Sequence, residues 1–200
     1  GIGGRVAEAV GALLGELGVS LPRSLLGMLL RTAWDRLWIT FAGSNEGRPR
    51  RIRERGDSRA SLVLDLLYEL SGAVANVDTN GYQALITQYL RKALRQGDAF
   101  HIASAYADEG YLRSMLGHPR QALALFESSK RLSNTLAKPA MTARLCLFEG
   151  AALNTSYEHT KTVAHLEQAE SLYQAHCADE PWSLTKVRFR LGIAWAQGGE

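Results

Sequence analysis

Apolar residues recur at steps of three and four along almost the whole chain, and no sustained alternation of apolar and polar residues interrupts them. This spacing puts apolar side chains on one face of an α-helix and argues against β-strands. The pattern predicts an all-α protein, in which short loops favour antiparallel helix pairs. The predicted helices cover residues 4–18, 22–42, 58–77, 81–96, 98–116, 119–137, 139–155, 160–177 and 181–197.

Three glycines, Gly110, Gly150 and Gly192, recur at nearly equal intervals, each inside a predicted helix. A glycine in a helix costs about 1 kcal/mol relative to alanine, so we expect these positions to let a neighbouring helix approach closely. Pro139 and Pro181 precede Gly150 and Gly192 by the same interval, and we expect each proline to begin a helix. A unit of this size cannot bury its apolar face alone, so the copies are expected to stack.

The second helix of each unit also repeats: residues 120–132 align with residues 161–173, which pairs Leu125 with Leu166. The segment "AYADEGYLRSMLGHPRQALALFESSKRL" (105–132) resembles a tetratricopeptide (TPR) repeat, with Ala122 and Phe126 at the alanine and aromatic positions of its second helix. The resemblance implies a TPR-like α-solenoid of stacked helix pairs. We predict that the chain has three parts: N-terminal linker helices (1–46), an arginine-rich connector (47–57) and helical repeats (58–200), of which the last is incomplete.

The segment "GRPRRIRERGDSR" (47–59) holds six arginines against Glu54 and Asp57, a local net charge of +4 in a chain of net charge +3. Such a cluster could neutralise nucleic-acid phosphates. However, it lacks the interleaved aromatic residues on which bases stack, so a connector whose arginines contact acidic groups of a neighbouring module is favoured. The arginines assigned to this basic contact are Arg48, Arg50, Arg51, Arg53 and Arg55.

Three further stretches, in this order, carry a more specific resemblance: "LGVSLPRSLLGMLLRTAWDRLWI" (17–39), "RIRERGDS" (51–58) and "LEQAESLYQAHCADEPWSLTKVRFRLGIAWAQGGE" (166–200). Together they resemble the C-terminal helical-repeat region of large bacterial serine/threonine protein kinases that are fused to an AAA (STAND-type) ATPase module. The resemblance implies a protein-interaction and regulatory region in signal transduction. The repeat region of a STAND-type ATPase transcriptional regulator is the alternative.

Catalytic motifs are absent from the sequence: it has no His-Arg-Asp, no Asp-Phe-Gly and no Gly-Lys dipeptide that could form a phosphate-binding loop. No residue is therefore assigned a catalytic, cofactor-binding or metal-binding role. The family resemblance places ATP and Mg²⁺ in upstream domains of the parent protein. The expected partners are a protein or peptide, or neighbouring domains of the same chain, rather than nucleic acid or a membrane.

Two cysteines, Cys146 and Cys177, are too few for a disulfide framework, and no apolar run is long enough to span a membrane. These features favour a cytoplasmic location. Trp34, Trp38 and Phe41 lie at helical spacing on one side of a predicted helix. A core position against the N-terminal helix is favoured for this stripe over a partner-binding face.

Overall fold

The computed structural model describes residues 15, 25–43, 58–74, 79–96, 99–177 and 180–199. Over these residues all regular secondary structure is helical, which confirms the all-α prediction. The helix expected at 4–18 lies outside the described residues except for Gly15. The helices are α1 (Leu25–Gly43), α2 (Ser58–Val74), α3 (Thr79–Gln96), α4 (Ala99–Met115), α5 (Pro119–Leu136), α6 (Pro139–Asn154), α7 (His159–His176) and α8 (Pro181–Gly198).

The chain divides into two compact units, Gly1–Asp98 and Ala99–Glu200. In the first, α1 and α2 both pack against α3. In the second, α4 pairs with α5 and α6 with α7, while α6 also packs on α4 and α5, and α8 packs on α7 and α6. The second unit is thus a stack of antiparallel helix pairs of the α-solenoid kind. The sequence-based domain boundaries near residues 46 and 57 fall outside the described residues and stay a prediction.

Proline begins three of the helices in the second unit. Pro119, Pro139 and Pro181 are the first residues of α5, α6 and α8, and the residue before each makes no capping hydrogen bond through its side chain. Proline suits this position because its fixed φ is already helical and its missing N–H would have no partner inside the helix. The fixed φ of proline therefore favours the start of these helices, although no side chain caps them.

The turn after each repeat glycine contains one residue in the left-handed region. Gly117 has a φ of 77°, Tyr157 a φ of 58° and Gly199 a φ of 81°. The sequence suggests that the middle repeat departs here, because a tyrosine replaces glycine. The structure nevertheless places a residue with a left-handed φ in all three turns. Tyr157 therefore adopts a conformation that costs a non-glycine residue about 1–2 kcal/mol.

The inward positions of α5 and α7 correct the predicted alignment of these helices. The buried positions of α5 are Ala122, Phe126, Ser129 and Ser133, and those of α7 are Thr162, Leu166, Ala169 and Tyr173. When the two sets are matched in order, Phe126 of α5 corresponds to Leu166 of α7. The predicted alignment, which paired Leu125 with Leu166, is therefore wrong by one position. Leu125 and Phe126 are adjacent apolar residues, and only packing decides which of them points inward.

Two of the three residues of the aromatic stripe of α1 are exposed, while the N-terminal helix on which the stripe was expected to pack lies outside the described residues. Trp34 is 62% exposed and Phe41 is 73% exposed. The buried face of α1 instead carries Asp35, whose carboxylate accepts hydrogen bonds from Arg31, in the same helix, and Arg91 of α3. Because a buried carboxylate requires charged partners, this polar contact sets which side of α1 faces α3. Trp38 lies beside it, with the Arg91 guanidinium 5.6 Å from its ring centre.

Candidate protein-interaction surface

In the first helix pair, α4 and α5, the two helices approach closely at a glycine. A Cβ atom added to Gly110 of α4 would lie 2.8 Å from Cε1 of Phe126, which is buried in α5. Non-bonded carbon atoms prefer separations of about 3.5–4.0 Å, so any larger residue at 110 would push the ring away. The interface depends on the absence of a side chain at Gly110.

The second helix pair repeats this arrangement with a leucine. A Cβ atom added to Gly150 of α6 would lie 3.0 Å from Cγ of Leu166 and 3.2 Å from Cβ of His165, both in α7. Leu166 also belongs to a buried cluster that includes Ala143 and Leu147 of α6. In both pairs a large apolar side chain of the second helix rests on a glycine of the first.

Gly192 of α8 differs: an added Cβ atom there would meet no atom within 4 Å. The close helix approach predicted for Gly192 therefore does not occur among the described residues. The physical reason is that α8 packs on α7 and α6 through the opposite side, where Val187, Leu191 and Ala194 are buried. Gly192 lies on the outward side of the helix.

The outward side of α8 corresponds, position by position, to the covered sides of α4 and α6. Its four positions, which are all exposed, are Thr185, Phe189, Gly192 and Ala196. Their counterparts in α6 are Ala143, Leu147, Gly150 and Asn154, and those in α4 are Ala103, Ala107, Gly110 and Ser114. In both earlier helices the first three positions are buried and the fourth is half-buried. We call the four positions on α8, together with Trp182 and Trp195, the α8 face.

Large apolar side chains are exposed on the α8 face. Trp182 is 56% exposed, Phe189 57% and Trp195 41%. Scattered exposed apolar residues are ordinary, but a contiguous group of large ones typically marks a contact surface. Gly192 was predicted to pack internally, and Phe189 was not predicted to lie on an exposed surface. The spacing of Trp182, Phe189 and Gly192 on one helical face was the signal that could have identified the surface.

Basic residues border the α8 face. Helix α8 contains Lys186, Arg188 and Arg190 and no acidic residue. The Arg188 side chain donates a hydrogen bond to Glu170 of α7 over 2.7 Å, and the Arg190 guanidinium lies 5.2 Å from the ring centre of Tyr111. All charged residues of α8 are therefore basic, and its two arginines are engaged by residues of α7 and α4.

A buried ion pair joins the first helices of the two pairs. Nη2 of Arg144 in α6 donates hydrogen bonds to both carboxylate oxygens of Asp108 in α4, at 3.0 and 2.8 Å. Both side chains are almost completely buried, and the Arg144 guanidinium also lies 5.1 Å from the Phe148 ring centre. This pair holds the stack together rather than facing a ligand. Its members are far apart in the chain, and nothing in the sequence pattern pairs them.

Two titratable groups near Gly150 are affected by burial. Burial raises the pKa of the Glu149 carboxyl, although His165, whose Nε2 is 3.7 Å from a Glu149 oxygen, and Lys130 oppose this shift. Burial also raises the pKa of the Cys146 thiol to about 11, with a further contribution from Glu149. A thiol is a nucleophile only when ionised, so this raised pKa makes Cys146 a poorer nucleophile at neutral pH.

The predicted basic contact through Arg48, Arg50, Arg51, Arg53 and Arg55 lies outside the described residues. Among the residues that are described, no group of three or more His, Cys, Asp and Glu side chains could hold a metal ion. None of the described helices combines the length and the apolar character needed to span a membrane.

Comparisons with protein-family models, with curated proteins and with solved structures gave no match to this chain.

Proposed function

We propose that this chain is a helical-repeat protein-interaction region that regulates a multidomain bacterial serine/threonine protein kinase in the cytoplasm. The observation that supports an interaction role is the exposed α8 face, whose counterparts on α4 and α6 are covered by α5 and α7. Burying apolar surface stabilises a contact by about 25 cal/mol per Å². A partner that covers Trp182 and Phe189 would therefore gain free energy from surface that the described fold leaves in water.

The kinase context rests on the resemblance of residues 17–39, 51–58 and 166–200 to the helical-repeat region of such kinases. In this proposal ATP binding and phosphoryl transfer belong to other domains of the parent protein. The helical repeats supply a surface for a protein, a peptide or a neighbouring domain, and occupancy of that surface is relayed to the kinase.

Site-specific photo-crosslinking tests the interaction role. A photoreactive amino acid is placed at Thr185, on the α8 face, or at Gln168, which is exposed on α7, and the parent protein is irradiated in the cell. We expect a protein adduct from position 185 that Gly192→Leu abolishes, and none from position 168. No adduct at 185, or equal adducts at both positions, would contradict an interaction role for this surface.

The reading frame that encodes the chain tests the kinase context separately. His-Arg-Asp and Asp-Phe-Gly motifs upstream would support it. A downstream DNA-binding helix-turn-helix without kinase motifs would instead support a STAND-type transcriptional regulator, and would contradict the kinase proposal while leaving the interaction role intact.

A further inference from the structure

We propose that α1 and α3, in the first unit, bind a small ligand through its phosphate group, which lies among Arg91, Lys92 and Arg95 beside Trp38. This inference goes beyond the proposed interaction role and does not depend on it. The evidence is a group of cationic side chains on two packed helices that one carboxylate does not neutralise.

Four cationic side chains surround one buried carboxylate. Asp35 of α1 accepts hydrogen bonds from Arg31 and Arg91. Lys92 and Arg95 follow Arg91 along α3, and neither forms an ion pair with a carboxylate in the part of the chain that the structure describes. Four positive charges against one negative charge leave the group with a net charge of +3.

These cations are close enough to repel one another. The pKa of the Lys92 ammonium is lowered by burial and, after that, by Arg91, Arg95 and Arg31, whereas Asp35 opposes the shift. Like charges that disfavour each other's ionised forms also disfavour the fold that brings them together. An anion bound among them removes this repulsion, so the unliganded group is prepared for a negative charge.

Trp38 positions two of the guanidinium groups. Cζ of Arg91 lies 5.6 Å and Cζ of Arg95 lies 6.0 Å from the centre of its ring. A guanidinium has five N–H donors at its edge, and contact with an aromatic face leaves donors available to a ligand. Arg95 is exposed, and Arg91 and Lys92 are partly exposed, so an anion from solvent can reach all three.

The number and spacing of these donors favour a phosphate group. Arg91, Lys92 and Arg95 lie within about one turn of α3, a rise of about 6 Å. A phosphate group has three or more acceptor oxygens and about two negative charges near neutral pH, and it accepts parallel hydrogen bonds from arginine. Nucleic acid instead requires cations spread along many phosphates. A compact ligand with one or two phosphate groups therefore fits this site best.

Pyrophosphate is the probe, and calorimetry of the full chain at constant ionic strength measures its binding. We expect saturable 1:1 binding that Arg95→Gln weakens about tenfold, or 1.4 kcal/mol. Arg120→Gln, at an exposed position of α5, and Arg51→Gln, in the arginine-rich connector, remove the same charge and should leave the affinity unchanged. Absence of saturable binding overturns the proposal, and so does a loss in Arg51→Gln as large as that in Arg95→Gln, because the connector would then hold the anion.

Thermal unfolding separates a loss of binding from a loss of stability. Without pyrophosphate, Lys92→Gln should raise Tm, because it removes a half-buried charge from among like charges. With saturating pyrophosphate the order should reverse, because the unmodified chain binds the anion more tightly and is stabilised more. If Lys92→Gln lowered Tm by the same amount with and without pyrophosphate, the lysine would have a structural role and the proposal would be wrong.

Two further ligands identify the source of the phosphate group. Tighter binding of ATP without Mg²⁺ than of pyrophosphate, again weakened by Arg95→Gln, would support a nucleotide, and equal binding would support a free polyphosphate. A single-stranded oligonucleotide that bound more tightly than both and depended on Arg95 would assign the site to nucleic acid and overturn the small-ligand proposal.

Discussion

The ring of Phe126 occupies the space that a side chain on Gly110 would need, since an added Cβ atom would come within 2.8 Å of the ring. Leu166 has the same relationship to Gly150 at 3.0 Å. These contacts explain why two helix interiors contain a residue that weakens an isolated helix. The third copy, Gly192, has the glycine without the covering residue.

Gly110→Ala should destabilise the protein. Overpacking a close contact typically costs about 1–3 kcal/mol, and the gain in helix propensity offsets about 1 kcal/mol of this. We expect a net loss of about 1 kcal/mol, a fall of about 2–4 °C in Tm for a chain of this size, measured by circular dichroism. Gly150→Leu should cost more, because a leucine cannot fit against Leu166 and His165.

Gly192→Ala is the matched control and should have the opposite sign. It gains helix propensity of about 1 kcal/mol and meets no neighbouring atom. If Gly110→Ala and Gly192→Ala changed Tm in the same direction, the contact with Phe126 would not be a constraint on stability.

Tyr157→Gly should stabilise the protein by about 1 kcal/mol, because glycine adopts the left-handed conformation without the cost that a Cβ atom causes. The tyrosine side chain is 79% exposed, so little packing is lost. Tyr157→Ala removes the ring but keeps the strain and serves as the control. If urea denaturation gives Tyr157→Ala and Tyr157→Gly the same free energy of unfolding, backbone strain at this position is not the cause.

Arg144→Met should be strongly destabilising. It leaves the buried Asp108 carboxylate without its charged partner, and breaking a buried pair in this way typically costs about 3–5 kcal/mol. The measurement is the urea dependence of unfolding at neutral pH.

Arg188→Met provides the comparison for that pair. It breaks the exposed contact with Glu170, for which about 1 kcal/mol or less is expected. The double variant Asp108→Leu/Arg144→Met should recover much of the loss because neither charge of this pair is then buried. Equal effects of Arg144→Met and Arg188→Met would show that burial does not decide the strength of these pairs.

Glu149→Gln should raise Tm at pH 7 and leave it nearly unchanged below about pH 4, the usual range of a glutamate pKa. Burial raises the folded-state pKa of Glu149, so folding favours the protonated form, and stability falls as pH rises through the folded pKa. The glutamine side chain carries no charge and avoids that loss. Glu167→Gln, on the exposed side of α7, is the control and should not show this pH dependence. If the Tm difference between Glu149→Gln and the unmodified protein grew on acidification, the pKa of Glu149 would be lowered by folding and the prediction would be wrong.

Helix positions were largely predictable from the sequence. The predicted bounds of the helices from 22 onwards differ from those of α1 to α8 by no more than three positions, because a helix imposes its own periodicity on apolar residues. Pro139 and Pro181 marked helix starts for an equally local reason, the fixed φ of proline. The spacing of Gly110, Gly150 and Gly192 correctly indicated a repeated unit.

The candidate surface was less predictable, because its residues act through neighbours distant in sequence. Leu125 and Phe126 look equivalent in the sequence, and packing alone selected Phe126 for Gly110. Likewise, a glycine repeat cannot reveal that Gly192 has no covering helix among the described residues.

By itself the sequence determined that the described part of the chain is helical, where its helices lie to within three positions, and that they repeat at a nearly constant interval. These properties depend on backbone geometry and on the spacing of apolar residues within one helix. Tertiary structure decided that Asp108 meets Arg144, that the stripe of Trp34 and Phe41 is exposed, and that the α8 face is open. These three features depend on which sides of the helices are in contact. That arrangement is stabilised by contacts between residues far apart in the chain, which the local sequence pattern does not show.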